Sequence, residues 1–283
     1  MRTELSFFFK NGLTSAALLL LTQCCVAQNL YDPEHSRQFA DYLAKSKQFE
    51  TAIPEYERVL FIAPDDSLKI AIVSCYRRAG KYTEGIKRSN EFFSNSSAMP
   101  EPLAREYAHL LLLNRSFDST KQFIATNNNL TQGDKLLLQL NTALLNKKWK
   151  EASLLMSTAD TISQPILVSY KKITDESAKL RYKSPALATG LSILIPGAGK
   201  VYTKDWKDGL ISFITVVAGG WQAYVGYQKK GTSSVYGWIN AGLCLGFYSG
   251  NIYGTAKAAK RYNKRLDDAL HHKAEDLFLR SLD

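Results

Sequence analysis

Hydrophobic and polar positions recur along residues 28–165 with the three-to-four-residue spacing of amphipathic helices. A short segment that places an aromatic residue three positions ahead of a small residue occurs four times, as KQFETA, GKYTEG, RSFDST and KKWKEA. The aromatic residues are Phe49, Tyr82, Phe117 and Trp149, which are 33, 35 and 32 residues apart. Such a period predicts stacked helix pairs, in which small residues let two helices approach closely and the aromatic residue fills the gap to the next pair.

The pattern resembles the tetratricopeptide repeat family over residues ~30–165. The first unit is the best match, with Ala40, Phe49, Ala52, Tyr56 and Pro64 at the expected spacings, and the later units are progressively more degenerate. The resemblance implies a solenoid whose concave surface binds a protein or peptide partner. It also implies a repeat core made of Phe49, Ala52, Tyr82, Gly85, Phe117, Trp149 and Ala152.

Two long uncharged runs follow, 19 residues at 209–227 and 20 residues at 235–254. A helix rises about 1.5 Å per residue, so each run is about as long as a hydrocarbon core is thick, about 30 Å. Tryptophan and tyrosine residues lie towards their ends, as in the aromatic belts of membrane proteins. The pattern predicts a helical membrane module over residues 185–256, and a buried helical hairpin in a soluble domain is the alternative.

Glycine occupies every fourth position of the second run, at Gly242, Gly246, Gly250 and Gly254. Each interior glycine would cost a water-soluble helix about 0.8–1 kcal/mol relative to alanine. Small residues at this spacing let helices pack closely in lipid. The stripe therefore predicts helix packing in the membrane, either within the hairpin or between copies of the chain in a homo-oligomer.

A shorter apolar segment before the first run is interrupted by Pro196, Gly197 and Gly199, and Tyr202 follows. The pattern P-G-x-G-[QK]-x-Y ahead of a hairpin resembles a largely uncharacterised family of small bacterial membrane modules over residues ~185–256. This resemblance implies a topology and no chemistry. Residues 186–203 either span the membrane or stay at its surface, and the distribution of lysine and arginine favours three spans.

The remaining segments predict export and attachment. Residues 1–27 have the pattern of a signal peptide, with cleavage expected before Gln28 and lipidation at Cys24 or Cys25 as the alternative. Residues 166–184 are expected to form a connecting helix or linker, with a domain boundary near residue 185. Residues 257–283 form an amphipathic basic tail that we expect to lie along the membrane surface. Together these features predict the bacterial cell envelope, with the chain in the inner membrane and the repeats in the periplasm.

The sequence offers little chemistry. The net charge of +10 is spread along the chain without the dense basic stripe that nucleic-acid binding needs. No catalytic, metal-binding or nucleotide-binding motif is present, so we expect no enzyme and no cofactor. Cys75 and Cys244 are not expected to form a disulfide. Asn240 and Asn251 share a helical face, where they either bind a substrate or line a pore, or, more commonly, bond to a neighbouring helix.

These expectations combine into an all-α chain, a tetratricopeptide-like solenoid followed by a helical transmembrane module. Its expected role is that of a membrane-anchored adaptor whose repeats bind a protein or peptide and whose C-terminal helices tether it in the bilayer. The alternative is a self-associating membrane unit, a pore or transport component, assembled through the glycine-faced helices.

Overall fold

A computed structural model of the chain describes residues 32–159 and 166–282. In these two ranges the secondary structure is helical throughout, without a β-strand, which confirms the all-α prediction. The predicted signal peptide, residues 1–27, lies outside the described residues. The chain divides into two compact units, one ending at Lys135 and the other beginning at Leu136.

The first unit contains six helices and the start of a seventh. They are α1 (Pro33–Lys45), α2 (Phe49–Ile62), α3 (Asp66–Arg78), α4 (Tyr82–Phe92), α5 (Glu101–Leu113), α6 (Phe117–Thr126) and α7 (Gln132–Leu145), which crosses into the second unit. Aspartate side chains cap two of these helices, since Asp32 accepts from the His35 N–H at 2.7 Å and Asp65 from the Ser67 N–H at 3.2 Å.

In the first unit, ion pairs connect α2 to α4 and α3 to α5, helices two positions apart along the chain. Arg88 of α4 binds the Glu57 carboxylate of α2, with Nη2 2.5 Å from Oε2. Arg77 of α3 binds Glu106 of α5, with Nε 2.7 Å from Oε2, and this arginine is only 9 % exposed. These links join helix pairs that are consecutive in the sequence, and the buried pair fixes their register because removing one partner would leave an uncompensated charge.

The second unit continues with six more helices. They are α8 (Trp149–Thr158), α9 (Ile166–Ala178), α10 (Pro185–Leu194), α11 (Ala198–Tyr202), α12 (Trp206–Lys230) and α13 (Val235–Arg280). Helix α12 packs against α13 as an antiparallel hairpin, with a short 3₁₀ turn at Gly231–Ser233 between them.

Helix α13 is one continuous helix of 46 residues. Its C-terminal half carries Leu270, Ala274 and Phe278, which are at most 4 % exposed. Leu270 and Ala274 pack in one core with side chains of α7, α8 and α9, among them Leu140 and Tyr170. The expected surface tail at 257–283 is therefore wrong in one respect: the segment is amphipathic, but protein covers its apolar face. The expected boundary near residue 185 stays a prediction.

The number of membrane spans, for which the sequence favours three, stays a prediction. A chain in which the C-terminal half of α13 packs on α7–α9 would cross a bilayer, if it is in one, an even number of times between these segments. Helix α10 has ten residues, about 15 Å, which is half of a hydrocarbon core. If the hairpin of α12 and α13 spans the membrane, residues 186–203 do not.

Among the described residues, one helical stretch, Trp206–Ser233, is long and apolar enough to cross a membrane, with a mean hydropathy of 1.3. Only 17 % of its most apolar window is buried by protein, unlike the core helix of a soluble domain. The second predicted run, 235–254, is uncharged but contains two asparagines and three tyrosines, and it does not reach the same hydropathy.

Candidate functional site

Four turns between helices share one backbone geometry. The residue two positions before each predicted aromatic residue has a left-handed φ: 62° at Lys47, 75° at Gly80, 58° at Arg115 and 55° at Lys147. In each turn this residue's N–H donates to the carbonyl three positions back, and the next N–H donates to the carbonyl five positions back. The aromatic residue then begins a helix in all four cases, at Phe49, Tyr82, Phe117 and Trp149.

The same turn occurs a fifth time, beside the predicted membrane motif. Lys204 has a φ of 64° and its N–H donates to the Val201 carbonyl at 2.9 Å, while the Asp205 N–H donates to the Lys200 carbonyl at 2.9 Å. Trp206 then begins α12. This turn was not among the four predicted from sequence, although TKDWKDG has the same aromatic-to-small spacing as NKKWKEA at the fourth turn. The turn before α12 is thus built like the turns that join the two helices of each pair.

The predicted repeat-core residues differ in burial. The small residues Ala52 and Ala152 are fully buried, and Gly85 is also buried. Trp149 is 9 % exposed, whereas the other three aromatic residues are only half-buried, as a side chain at the edge of a helix pair would be. Phe49, for example, lies 5.7 Å from the Arg78 guanidinium. These residues have packing roles, and none of them forms a pocket with chemistry of its own.

The glycines of the P-G-x-G motif allow backbones to approach closely. Gly197 has a φ of 86°, and a Cβ on it would lie 2.0 Å from the Gly209 carbonyl oxygen. A Cβ on Gly199 would lie 2.0 Å from the Ala188 carbonyl oxygen. Any side chain at either position would therefore push α10, α11 and α12 apart. The motif's Pro196 lines an apolar groove, and the ring of Tyr202 lies 4.3 Å from the Lys183 ammonium.

The predicted glycine stripe does not close the hairpin. A Cβ added to Gly242, Gly246 or Gly250 would meet nothing within 4 Å, and at Gly254 it would meet only Cε of Lys200, at 3.8 Å. Closure within the hairpin, one of the two expected roles of the stripe, is therefore not what the structure shows. Helix α12 packs against a face of α13 that does not contain this glycine stripe.

The contacts that do close the hairpin fix its register. A Cβ on Gly219 would lie 3.3 Å from Cβ of Cys244, and a Cβ on Gly226 would lie 2.7 Å from Cα of Gly237. Residues seven positions apart lie nearly on one helical face. One heptad further towards the start of α12, this register places Ser212 opposite Asn251.

A hydroxyl network joins three elements close to this level. The Gly199 N–H donates to Ser192 Oγ at 3.1 Å, and the Ser192 and Thr255 hydroxyls are 2.9 Å apart. The Thr255 hydroxyl donates its hydrogen to the Asn251 carbonyl at 2.8 Å. The Ser192 hydroxyl must therefore be the donor in the bond between Ser192 and Thr255. Both hydroxyl residues are fully buried. The network therefore ties α10, α11 and α13 together and has no hydrogen left for a ligand.

The side-chain amide of Asn251, unlike these buried hydroxyls, makes no hydrogen bond among the described residues. It is 4 % exposed, yet among the described residues neither Nδ2 nor Oδ1 has a hydrogen-bond partner. An unpaired buried amide costs about 1–3 kcal/mol. Asn240 is half-buried and donates to the Tyr236 carbonyl of its own helix at 2.9 Å, so the two asparagines have different surroundings. The expectation that both bond to a neighbouring helix is wrong.

Lys200 reaches the same region from α11. Its ammonium donates to Ser212 Oγ at 2.7 Å, and Ser212 donates to the Asp208 carbonyl at 2.8 Å. In the part of the chain that the structure describes, no carboxylate lies within 4 Å of this ammonium, which is half-buried. A charged donor of α11 and a hydroxyl of α12 are therefore brought together.

Asn251 could be singled out from the sequence by its place on an apolar helix, whereas no sequence pattern indicates the bond from Lys200 to Ser212. Comparison with models of protein families, with curated proteins and with solved structures finds no match to this chain. Within the described ranges, no group of three histidine, cysteine, aspartate or glutamate side chains is arranged to hold a metal ion. Cys75 and Cys244 are both free thiols.

Proposed function

We propose that this chain is a membrane-anchored helical scaffold. Its apolar helices hold it in a bilayer, and its helix pairs recruit a protein or peptide partner. The observation that carries the proposal is the continuity of α13, which is apolar and exposed in its first half and buried in a helical core in its second half.

The exposed apolar surface supports a membrane as the environment of the hairpin. Large apolar side chains on α10, α12 and the first half of α13 are at least half exposed, among them Leu194, Ile211, Trp221, Val235, Leu245 and Tyr253. Soluble monomers rarely expose continuous apolar patches larger than a few hundred Å². Lipid would cover these side chains without requiring a folded partner.

The coupling between anchor and domain supports a scaffold in preference to a flexible tether. No linker separates the apolar half of α13 from the half that packs on α7–α9. A helix of 46 residues is about 70 Å long. A partner bound to α7–α9 would be held at a defined distance from the bilayer. This tethering raises the effective concentration of the partner at the bilayer.

Exposed aromatic residues support a protein or peptide as the partner. Phe61 at the end of α2 is 90 % exposed, and Phe39 and Tyr42 of α1 are about half exposed. Aromatic side chains are enriched in protein interfaces, where they contribute much of the binding energy. Nothing in the proposal requires catalysis, a cofactor or nucleic acid.

We propose the bacterial inner membrane as the location, with α7–α9 and the basic end of α13 in the periplasm. The export pattern of residues 1–27 supports this side. The cytoplasm is the alternative, because Lys257, Lys260 and their basic neighbours would favour it under the positive-inside rule.

Affinity capture of the full chain from membranes in mild detergent tests the scaffold. We expect a distinct protein at near-equal stoichiometry, lost from the Phe61→Ser variant and retained by the Val168→Ser variant, whose valine is 73 % exposed on α9. Recovery of the wild-type chain without a stoichiometric protein contradicts the proposal.

A second candidate is the self-associating membrane unit, favoured by the open face at Gly242, Gly246 and Gly250. Replacing Gly246 and Gly250 with isoleucine should dissociate such an oligomer, whereas a monomeric scaffold should keep its partner. An unchanged multimer in this variant excludes assembly through the stripe.

A further inference from the structure

We infer that the cavity at the turn of the hairpin binds the phosphate group of an anionic phospholipid. The cavity lies between the end of α12 and the start of α13 and has a volume of about 470 Å³. Pockets that hold small molecules have volumes of about 300–1,000 Å³. The inference goes beyond the scaffold role, and its choice of a lipid rests on the proposed placement of the hairpin in a bilayer.

Two adjacent lysines supply the positive charge of this cavity. Lys229 and Lys230, the last two residues of α12, both line it and are both exposed. In the part of the chain that the structure describes, neither ammonium has a carboxylate within 4 Å. The sequence contains no aspartate or glutamate between Asp208 and Asp267, so the hairpin itself offers no carboxylate that could neutralise them. The cavity therefore carries two uncompensated positive charges.

The turn adds hydroxyl donors to this charge. Ser233 and Ser234 line the same cavity, and Ser234 is only 3 % exposed. As the N-cap of α13, Ser234 Oγ accepts from the Gly237 N–H at 3.0 Å, and among the described residues its own hydrogen has no acceptor. Two ammonium groups and two hydroxyl donors favour an oxyanion, because charged donors form strong hydrogen bonds to phosphate oxygens.

The start of α13 favours an anion for a further reason. Val235 and Tyr236 line the cavity and are the first two residues of this helix of 46 residues. The first N–H groups of a helix have no partner within it, and the helix dipole places partial positive charge at this end. The close approach of Gly226 to Gly237, with a Cβ on Gly226 at 2.7 Å from Cα of Gly237, brings the end of α12 to the same space.

The position of the cavity along the hairpin favours a phospholipid as the source of the phosphate. The uncharged run 209–227 is about as long as a hydrocarbon core is thick, and Lys229 follows it by two residues. With the hairpin across a bilayer, the cavity therefore lies at the level of the headgroups. Val225, which also lines the cavity, lies one helical turn deeper, on the side of the acyl chains.

Aromatic side chains at the turn agree with this level. The Trp238 indole N–H donates to the Thr232 carbonyl at 2.9 Å, and the Tyr227 ring packs edge-on against Trp238 with centroids 5.6 Å apart. Tryptophan and tyrosine are enriched at membrane–water interfaces. Since the two lysines would repel a quaternary ammonium, we expect an anionic headgroup in preference to a zwitterionic one.

Native mass spectrometry of the detergent-purified full chain tests the inference. The probes are phosphatidylglycerol and phosphatidylcholine with the same acyl chains, and we expect phosphatidylglycerol to bind at least about fivefold more tightly. The double variant Lys229→Gln/Lys230→Gln should weaken phosphatidylglycerol binding at least about fivefold. The matched control, Lys257→Gln/Lys260→Gln, removes two exposed lysines about 33 Å further along α13 and should weaken it less than about twofold.

A second variant places a carboxylate in the cavity. Ser233 is exposed, so Ser233→Asp should weaken phosphatidylglycerol binding at least about fivefold without lowering the melting temperature. Free inorganic phosphate shares the chemistry of the headgroup, and a thermal-shift titration with it identifies the source. A shift that depends on Lys229 and Lys230, without a preference between the two lipids, assigns the site to the free anion.

Equal losses in the two double variants, equal binding of the two lipids without a phosphate-dependent shift, or unchanged binding in Ser233→Asp each overturn the inference. The measurements require no protein partner, so their failure would leave the scaffold proposal standing. A hairpin found outside the bilayer, together with a phosphate shift that depends on Lys229 and Lys230, would contradict the proposed anchor and leave the anion site intact.

Discussion

The indole N–H of Trp149 donates to Oδ1 of Asp267 at 2.9 Å, and the Tyr182 hydroxyl donates to the same oxygen at 2.6 Å. Trp149 begins α8, Tyr182 precedes α10, and Asp267 lies in the C-terminal half of α13. The first turn of α8 is thereby bound to the C-terminal half of α13, the helix whose N-terminal half belongs to the apolar hairpin. Desolvation and the bond to Asp267 raise the pKa of Tyr182 to about 12, so the hydroxyl keeps its hydrogen at neutral pH.

Asp267→Ala should therefore destabilise the second unit. Two hydrogen bonds are lost and the buried indole N–H is left without its acceptor, so we expect a loss of about 2–3 kcal/mol in the free energy of unfolding. All four tryptophans of the chain lie in this unit, so tryptophan fluorescence during denaturation in detergent reports its unfolding selectively.

The adjacent Asp268 provides the matched control. Its carboxylate pairs with the Lys147 ammonium at 2.7 Å, but both side chains are more than a third exposed, and such surface pairs contribute little. Asp268→Ala should leave the denaturation midpoint nearly unchanged. Equal effects of the two substitutions would contradict the role given to Asp267.

At the left-handed position of the shared turn, adding and removing a side chain should change the free energy of unfolding in opposite directions. Gly80 has room for a Cβ, since nothing lies within 4 Å, so Gly80→Ala should destabilise only through its φ of 75°, by about 1 kcal/mol. Lys147→Gly relieves the same strain at the fourth turn and should stabilise by up to about 1 kcal/mol. Denaturation of the two variants gives the comparison, and a destabilised Lys147→Gly would show that its side chain matters more than its backbone.

The glycines of residues 185–256 should fall into two classes. A Cβ on Gly199 would lie 2.0 Å from a backbone oxygen and 2.3 Å from Cγ2 of Thr255, so Gly199→Ala should destabilise by at least about 2 kcal/mol. Gly246→Ala meets nothing within 4 Å in this chain and should be neutral or slightly stabilising in the monomer. Thermal unfolding in detergent checks both. A severe effect of Gly246→Ala would indicate that a second helix occupies the glycine face.

His109 on α5 should stay neutral down to acidic pH. Desolvation lowers the pKa of its imidazole from 6.5 to about 4. Between these two values the unfolded chain binds a proton that the folded chain does not, so stability falls as the pH decreases from 6.5 towards 4. Titration of the imidazole resonances by NMR, assigned with the His109→Gln variant, should show one histidine with a pKa near 4. A value near 6.5 would contradict the burial.

The helical class and the starts of α2, α4, α6 and α8 could be predicted from sequence because they rest on local rules. Amphipathic spacing and an aromatic residue ahead of a small one recur wherever the turn recurs. The fifth turn, at Trp206, obeys the same rule but was missed because its small residue is Gly209, within a glycine-rich segment that predicted a membrane motif instead.

The course of residues 257–280 could not be predicted, because it depends on contacts distant in sequence. An amphipathic helix has the same pattern whether lipid or protein covers its apolar face, and only the packing of Leu270 and Ala274 against α7–α9 decides between them. The bond from the Lys200 ammonium to Ser212 Oγ was hidden for the same reason, since it exists only once α11 packs against α12.

The central claim, that the exposed apolar surface of the hairpin lies in lipid, is tested most directly by spin labels on two exposed valines. Val217 on α12 is 50 % exposed and Val168 on α9 is 73 % exposed. The chain would be reconstituted in bilayers with its own cysteines replaced. The label at 217 should collide readily with oxygen and rarely with a water-soluble nickel complex, and the label at 168 should show the reverse. Free access of the nickel complex to position 217 would contradict the account.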